Sequence, residues 1–220
     1  MRLGLRATSY DDDRECCTDF SWDDIKDDIL LKFLKWSRSL EERVSLLNQN
    51  IKYFQEIIKL FRWNENAKKN YNTYLIIHLT NYSTLIAVEF GTLLEVKDEL
   101  GLRKYIDFCK SNSRKIFEGK NVINVLAKTE EQYQMISQKY QEKLKPARDK
   151  VFAHSDKELI NNEDYVDSIL SKISYYEFNQ MVDNLKEILD SIWYQYRSKK
   201  LFYEFDDSND VDKIIDFLQK

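Results

Sequence analysis

The chain has 220 residues and a net charge of −4, with 33% charged and 14% aromatic residues but only four glycines and one proline. β-Sandwiches and barrels need many turns, which are built largely from glycine, proline and asparagine, so this composition argues against them. The length supports one sizeable core and is short for two. The sequence therefore predicts an all-α fold, a single-domain helical bundle with long antiparallel helices.

Residues 1–20 are polar and acidic without a hydrophobic period, so we expect a poorly ordered N-terminal arm before a helical domain over residues 21–220. The arm lacks the apolar run of a signal peptide, and no stretch approaches the about 18 apolar residues of a membrane-spanning helix. Cys16, Cys17 and Cys109 form neither a disulfide framework nor a zinc motif. The sequence thus predicts a cytoplasmic protein with no cofactor, no metal and no membrane contact.

A stripe of apolar residues with steps of three or four runs from Trp22 to Phe61. It predicts one long helix, or two helices joined within residues 37–42, with Asp19 or Ser21 as the N-cap.

Residues 64–72 are rich in asparagine and charge and predict a soft break before a second helix that is apolar on more than one face. We expect this helix at the centre of the bundle. His78 lies inside it, where a histidine is more often a packed residue than a catalyst. The remaining helices are predicted over residues 102–117, from residue 122 into Pro146, over 160–173 and 211–218, and after a capping box formed by Ser174 and Glu177.

Residues 140–158 contain the only proline and one of the two histidines. They overlap a basic region, because residues 103–150 hold 12 basic and 6 acidic side chains, a local charge of +6. This asymmetry favours an anionic ligand, although it is also common on helical surfaces. For an RNA ligand the candidate contacts are Arg103, Lys110, Arg114, Lys115, Lys143 and Lys145.

Arg148 continues the apolar stripe formed by Tyr140 and Leu144, where a guanidinium is costly unless it is paired or lines a cleft. His154 follows six residues later, about 240° around an ideal helix, so the two side chains do not share a face. Either the backbone bends here, or a second chain completes the site, as in a symmetric dimer.

An arginine and a histidine suit RNA cleavage. Histidine titrates near neutrality and can move a proton to or from a ribose hydroxyl, while arginine can hold a phosphate bidentately and stabilise charge in the transition state. Lys150 would attract phosphate, and Asp149 and Asp156 could orient the pair. The alternative on residue chemistry alone is a surface Arg–Asp pair and a histidine near a helix C-terminus.

The run R-D-K-V-F-A-H-S-D at residues 148–156 resembles the signature of HEPN domains, in which an arginine and a polar residue precede a histidine. The part D-K-V-F-A-H-S-D is similar to the AbiU-type abortive-infection branch, as is the terminal F-D-D-S-N-D-V-D-K-I-I-D-F-L-Q-K. The resemblance implies a HEPN-like helical bundle that acts as a metal-independent endoribonuclease in a toxin–antitoxin or phage-defence setting. Arg148 and His154 would be its catalytic pair.

The resemblance also implies partners: an RNA substrate, a second copy of the chain, and an antitoxin or regulatory protein. HEPN toxins paired with a nucleotidyltransferase antitoxin often carry a tyrosine two residues after the histidine, and Asp156 departs from that pattern. Two alternatives stay open. One is a non-catalytic HEPN-like adaptor that uses the stripe from Trp22 to Phe61 as a helix-binding surface, and the other is a nucleotide-binding interaction module.

Overall fold

The computed structural model describes residues 14–15, 27–95, 100–118, 120–146, 148–149, 175–201 and 203. Within these ranges the fold is all-α, as predicted, apart from one short strand pairing. The elements in chain order are β1 (Arg14–Glu15), α1 (Asp28–Trp63), α2 (Glu65–Leu94), α3 (Leu102–Ser111), α4 (Ser113–Ile116), α5 (Ile123–Lys139), a π-helical turn (Tyr140–Leu144), α6 (Tyr175–Arg197) and β2 (Lys200–Leu201).

Helix α1 is one continuous helix of 36 residues rather than two joined ones. Asp27 is its N-cap, because Oδ1 of Asp27 accepts hydrogen bonds from the backbone N–H groups of Ile29 at 2.8 Å and Leu30 at 3.1 Å. These donors have no partner inside the helix, so the cap stabilises its first turn. The predicted caps, Asp19 and Ser21, were wrong for this helix and lie outside the described residues.

The soft break predicted over residues 64–72 is a one-residue connection followed by a kink. Asn64 alone separates α1 from α2 and has an extended backbone, with φ −111° and ψ 94°. Inside α2, Tyr71 leaves helical geometry with φ −130° and ψ 20°. The third predicted helix is likewise divided, since Asn112 separates α3 from α4.

Contacts along the long helices show that they pack antiparallel. Residues further along α1 contact residues nearer the start of α2, in the pairs Arg43–Glu89, Tyr53–Tyr82 and Leu60–Leu75. Helix α6 runs antiparallel to α1 by the same criterion, through Phe33–Trp193 and Phe54–Phe178, and antiparallel to α5 through Lys128–Glu187 and Lys139–Gln180. Helices α1, α2, α5 and α6 therefore share one core, to which α3 also contributes buried residues. Both α2 and α5 lie beside the segment that carries Arg148.

Phe33 lies at the aromatic centre of that core and is fully buried. Its ring centroid is 5.3–6.0 Å from the ring centroids of four residues on other elements, Tyr105, Phe117, Trp193 and Tyr196. The Oγ of Ser37 lies 2.7 Å from the Oη of Tyr105, which satisfies two polar groups inside the core.

The apolar stripe of α1 faces this core, which corrects one expectation from the sequence. The members of the stripe between Phe33 and Phe54, including Leu47, are buried. A buried stripe cannot serve as a helix-binding surface, so that basis for an adaptor is wrong.

His78 packs on α2 as a structural residue. Its ring centroid lies 4.2 Å from that of Tyr74 and 6.3 Å from that of Tyr82. These contacts agree with the packing role that the sequence favoured.

Residues Arg14 and Glu15 pair in parallel with Lys200 and Leu201. Leu201 is buried, and its backbone N–H donates to Oδ1 of Asp190 at 2.9 Å, which ties the end of α6 to β2. The division of the chain at residue 20 stays a prediction, because residues 16–26 lie outside the described ranges.

Glu130 of α5 holds α3 to α5 by pairing with two cations. Nη1 of Arg103 donates to Oε1 of Glu130 at 2.5 Å, and Nζ of Lys110 contacts the other carboxylate oxygen. Arg103 also pairs with Asp107 at 3.0 Å. All four side chains keep some exposure, so the network counts as a surface network rather than a buried one.

The Glu130 network predicts a pH-dependent contribution to stability. Hydrogen bonds from Lys110 and Arg103 lower the pKa of the Glu130 carboxyl below its ordinary value of 4.5. Such a carboxyl stabilises the folded state above its unfolded pKa and loses that contribution as the pH falls through its folded pKa. We expect Glu130→Gln to lower the free energy of unfolding by about 1 kcal/mol at neutral pH, and by less in acid.

Thermal unfolding of the two proteins from neutral to acidic pH measures this difference. Glu42→Gln is a suitable control, because Glu42 pairs with Arg38 at 2.8 Å within α1 and both side chains are well exposed. A stability difference for Glu130→Gln that stays constant down to acidic pH would contradict the prediction.

Candidate functional site

The segment before Arg148 leaves α-helical geometry. Helix α5 passes into the π-helical turn Tyr140–Leu144, in which the backbone N–H of Lys145 bonds to the carbonyl of Tyr140. A π turn places one extra residue in the turn, which shifts the face that later side chains occupy, and such turns are frequent at functional sites. Lys143 contacts Glu177, which fixes the turn against α6.

Arg148 follows this turn and is paired on both sides of its guanidinium. Nη1 lies 2.8 Å from Oε1 of Glu95 and donates to Oη of Tyr140 at 2.6 Å. Nε and Nη2 both donate to Oδ1 of Asp149, at 3.0 Å and 2.8 Å. The side chain is 16% exposed. A guanidinium on a core-facing stripe is costly unless it is paired or lines a cleft, and Arg148 is paired.

Gly91 makes room for this cluster on helix α2. A Cβ atom at position 91 would lie 2.5 Å from Nη1 of Arg148 and 2.6 Å from Oη of Tyr140. Real Cβ contacts essentially never come so close, so any larger residue would displace at least one of the two groups. The glycine therefore marks a close approach of two side chains to a helix.

Tyr140 links the arginine to the glutamate. Its side chain is fully buried, and its Oη donates to Oε1 of Glu95 at 3.3 Å while accepting from Arg148. Burial raises the pKa of the Tyr140 phenol, and the charge of Arg148 opposes that shift only in part. Tyr140 therefore stays protonated at neutral pH and acts as a neutral bridge.

The charge of Arg148 is stable in the same setting. Burial alone would lower its pKa, but the hydrogen bond with Asp149 and the nearness of Tyr140 and Glu95 outweigh burial and raise the pKa above its ordinary value. The guanidinium is therefore a fixed cation whose orientation is set by α2, the π turn and its neighbour Asp149.

A comparison with models of protein families shows which family the chain belongs to. The model HEPN_AbiU2, described as AbiU2, matches residues 37–219, which include the whole run from Arg148 to Asp156. The chain belongs to this HEPN family. No curated protein and no solved structure gave a match.

The structure describes only part of the predicted HEPN site. Lys150, His154 and Asp156 lie outside the described residues. The structure brings Arg148 together with Asp149 through two hydrogen bonds. The orienting role of Asp149 and the distance from Arg148 to His154 stay predictions.

Half of the predicted RNA contacts are paired with carboxylates of the same chain. Arg103 and Lys110 share Glu130, and Lys143 contacts Glu177. These ion pairs reduce the positive field that the sequence suggested for this HEPN surface. The other three predicted contacts are the exposed Arg114 and Lys115 of α4 and the half-buried Lys145 after the π turn.

Sequence reasoning missed Glu95 and Gly91 as parts of this site. Gly91 had a readable signal, since an isolated glycine inside a helical pattern indicates a packing or functional reason. Glu95 had no such signal, because it is one of 38 acidic residues and lies 53 positions before Arg148. Only the approach of α2 to the π turn brings the two together.

The described part of the chain contains no group of three or more His, Cys, Asp or Glu residues that could hold a metal ion. Within the same residues, no helix has the length and hydropathy needed to span a membrane.

The site predicts that Gly91→Ala and Arg148→Ala are energetically coupled. Arg148→Ala leaves the partly buried Glu95 and the fully buried Tyr140 without the guanidinium, which should cost about 1–3 kcal/mol of unfolding free energy. Gly91→Ala already displaces the guanidinium, while it favours the helix by about 0.5–1 kcal/mol. We expect the cost of Arg148→Ala to be smaller by about 1 kcal/mol in the Gly91→Ala background.

Urea denaturation of the four proteins of this cycle measures the coupling. A parallel cycle with Thr84→Ala provides the control, because Thr84 lies two turns earlier on α2 and its hydroxyl donates to the carbonyl of Thr80 within the same helix. Additivity in the Gly91 cycle would show that the close approach does not hold Arg148.

Proposed function

We propose that this HEPN protein is a metal-independent endoribonuclease that acts as a toxin or phage-defence effector. Arg148 and His154 form its catalytic pair, in a cleft between two copies of the chain. The observation that carries the proposal is the placement of Arg148: a charged guanidinium at the edge of the core, fixed by Glu95 and Tyr140, within a chain of the AbiU2 family. The name of that family links it to abortive infection.

The proposed chemistry uses proton transfer and charge stabilisation. His154 takes the proton of a ribose 2′-hydroxyl, and the 2′-oxygen attacks the adjacent phosphorus. The bond from phosphorus to the 5′-oxygen breaks, and the leaving oxygen takes a proton from the second histidine or from water. The products carry a 2′,3′-cyclic phosphate and a 5′-hydroxyl. Arg148 balances the charge that develops on the phosphoryl oxygens, with Lys150 and Asp156 in supporting roles.

The six-residue offset supports a site that two chains share. Arg148 and His154 do not fall on one face of a straight helix. A two-fold axis beside Arg148 would bring both arginines and both histidines to one cleft. The proposed partners are therefore an RNA substrate, a second copy of the chain, and an antitoxin or regulatory protein.

One observation favours the non-catalytic alternative. The guanidinium of Arg148 is already occupied on both sides by acceptors of its own fold, Glu95, Tyr140 and Asp149. A guanidinium closed in this way could build an interface or bind a nucleotide phosphate without cleaving RNA. The Asp149 side chain is 53% exposed, however, so one side of the cluster lies open to a ligand.

The nuclease proposal predicts loss of cleavage in both catalytic variants. With RNA and excess EDTA, the unmodified protein should cleave, and Arg148→Ala should lower kcat/KM by about 10²–10³-fold because charge stabilisation is lost. His154→Ala should lower it by about 10²–10⁴-fold because proton transfer is lost. Mapping of the product ends by gel or mass spectrometry would identify the cyclic phosphate.

Arg38→Ala is the matched control for this experiment. Arg38 pairs with Glu42 on the exposed side of α1. The substitution therefore removes an ion-paired arginine and leaves the proposed site unchanged. Equal cleavage by the unmodified protein and both catalytic variants would remove this mechanism. A stable complex with another protein and no cleavage would favour the adaptor.

The shared cleft predicts a specific response to mixing. If a site needs both copies, an excess of the inactive Arg148→Ala, His154→Ala double variant should reduce activity as the square of the fraction of unmodified chain. If each chain carries a complete site, activity should fall linearly with that fraction. Light scattering after size exclusion gives the oligomeric state, and a monomer with full activity would contradict the proposal.

A further inference from the structure

The two sides of the Arg148 guanidinium are held in different ways, and this difference carries an inference that rests on the proposed function. A guanidinium binds a phosphate best through two parallel N–H groups that point to two oxygens. In Arg148 one such edge is formed by Nε and Nη2, and the opposite end is Nη1. The Nη1 end contacts Glu95 and Tyr140, whereas the Nε–Nη2 edge contacts Asp149.

The inner end is anchored by other elements of the fold. Nη1 meets Oε1 of Glu95 at 2.8 Å and Oη of Tyr140 at 2.6 Å. Glu95 follows the last residue of α2, and its backbone N–H bonds to the carbonyl of Gly91. Tyr140 is fully buried in the π turn. These contacts cross 53 and 8 positions of sequence, so the fold itself fixes this end.

The outer edge is held only by a neighbour in sequence. Nε and Nη2 share a single acceptor, Oδ1 of Asp149, at 3.0 Å and 2.8 Å. The Asp149 side chain is 53% exposed, whereas that of Glu95 is 29% exposed. A phosphate would offer these two donors two oxygens instead of one, and the exposed aspartate can turn away into water.

We propose that Glu95 is a positioning residue that fixes Arg148 through Nη1, so that its Nε–Nη2 edge faces the RNA phosphate, and that Asp149 occupies this edge until RNA displaces it. Tyr140 helps Glu95 by bridging it to the arginine. Two carboxylates on one guanidinium therefore act in opposite directions: Glu95 favours phosphate binding and Asp149 competes with it.

Simple electrostatics predicts something different, which makes the proposal testable. Both carboxylates are negative and repel RNA, so removing either one should tighten RNA binding if charge alone matters. Positioning predicts opposite signs, because loss of Glu95 releases the arginine from its productive orientation while loss of Asp149 frees its outer edge.

The experiment measures binding of a 2′-O-methyl RNA oligonucleotide by fluorescence anisotropy. This probe cannot be cleaved through a 2′-hydroxyl, so its Kd is independent of catalysis. The variants are Glu95→Ala, Glu95→Gln and Asp149→Ala. Glu56→Ala serves as the charge-matched control, since Glu56 pairs with Lys59 on α1 and lies away from the cluster.

We expect Glu95→Ala to raise the Kd by about tenfold, the size of one hydrogen bond to a charged group. Glu95→Gln keeps an acceptor oxygen for Nη1 and should restore most of the affinity. Asp149→Ala should lower the Kd by clearly more than Glu56→Ala does. Tighter binding by Glu95→Ala, or equal effects of Asp149→Ala and Glu56→Ala, would overturn the inference.

Tyr140→Phe covers the case in which Glu95→Ala does not fold. It removes the bridge to Nη1 but keeps the buried ring, and it should also raise the Kd; an unchanged or lower Kd would overturn the inference.

Cleavage of unmodified RNA separates this inference from the proposed function. Opposite effects on Kd without any cleavage would leave the inference standing and remove the nuclease. Cleavage that depends on Arg148 and His154, together with tighter binding by both Glu95→Ala and Asp149→Ala, would support the nuclease and overturn the inference.

Discussion

The close approach of the π turn to helix α2 at Gly91 decides where Arg148 can lie. A Cβ atom there would come within 2.6 Å of both the arginine and the tyrosine that holds it. Phe90, the residue before Gly91, is buried, and its ring lies 6.3 Å from that of the buried Phe178 on α6. This apolar packing brings α2 and α6 together, and the absence of a side chain at position 91 leaves room for the polar groups of Arg148 and Tyr140 against α2.

Within the described residues the fold class and most helices could be predicted from the sequence, because scarce glycine and proline and a period of three to four residues leave few alternatives to a helical bundle. The helices predicted over residues 160–173 and 211–218, and Ser174 of the predicted capping box, lie outside the described residues. The one-residue break at Asn64 and the π turn at Tyr140–Leu144 could not be located in this way. Asparagine marks a break only weakly, and a π turn depends on which side chains the neighbouring helices offer. The cap at Asp27 was misplaced because aspartates are frequent throughout residues 11–28.

The candidate site was predicted only in part, and for a physical reason. Arg148 stood out because a charge on an apolar stripe requires a partner. The partner Glu95 depends on a contact between helices that no local pattern encodes. The same limit applies to Arg103, Lys110 and Lys143, which look like a cationic surface in sequence and are paired with Glu130 and Glu177 in the fold. Counting charges along a chain cannot tell a solvated cation from a neutralised one.

The Arg148 cluster is hard to explain by stability alone. Charges that lose water on burial regain that cost only with good geometry, and apolar residues of similar volume are often as stable or more so. Here Gly91 also gives up helix propensity to admit the guanidinium. These two costs are consistent with the role proposed for the cluster, which is to fix the orientation of Arg148. A guanidinium held at one end, with its other edge on an exposed aspartate, has the preorganisation that phosphate recognition needs. The cluster thus joins the packing of α2 to the chemistry proposed for the HEPN site.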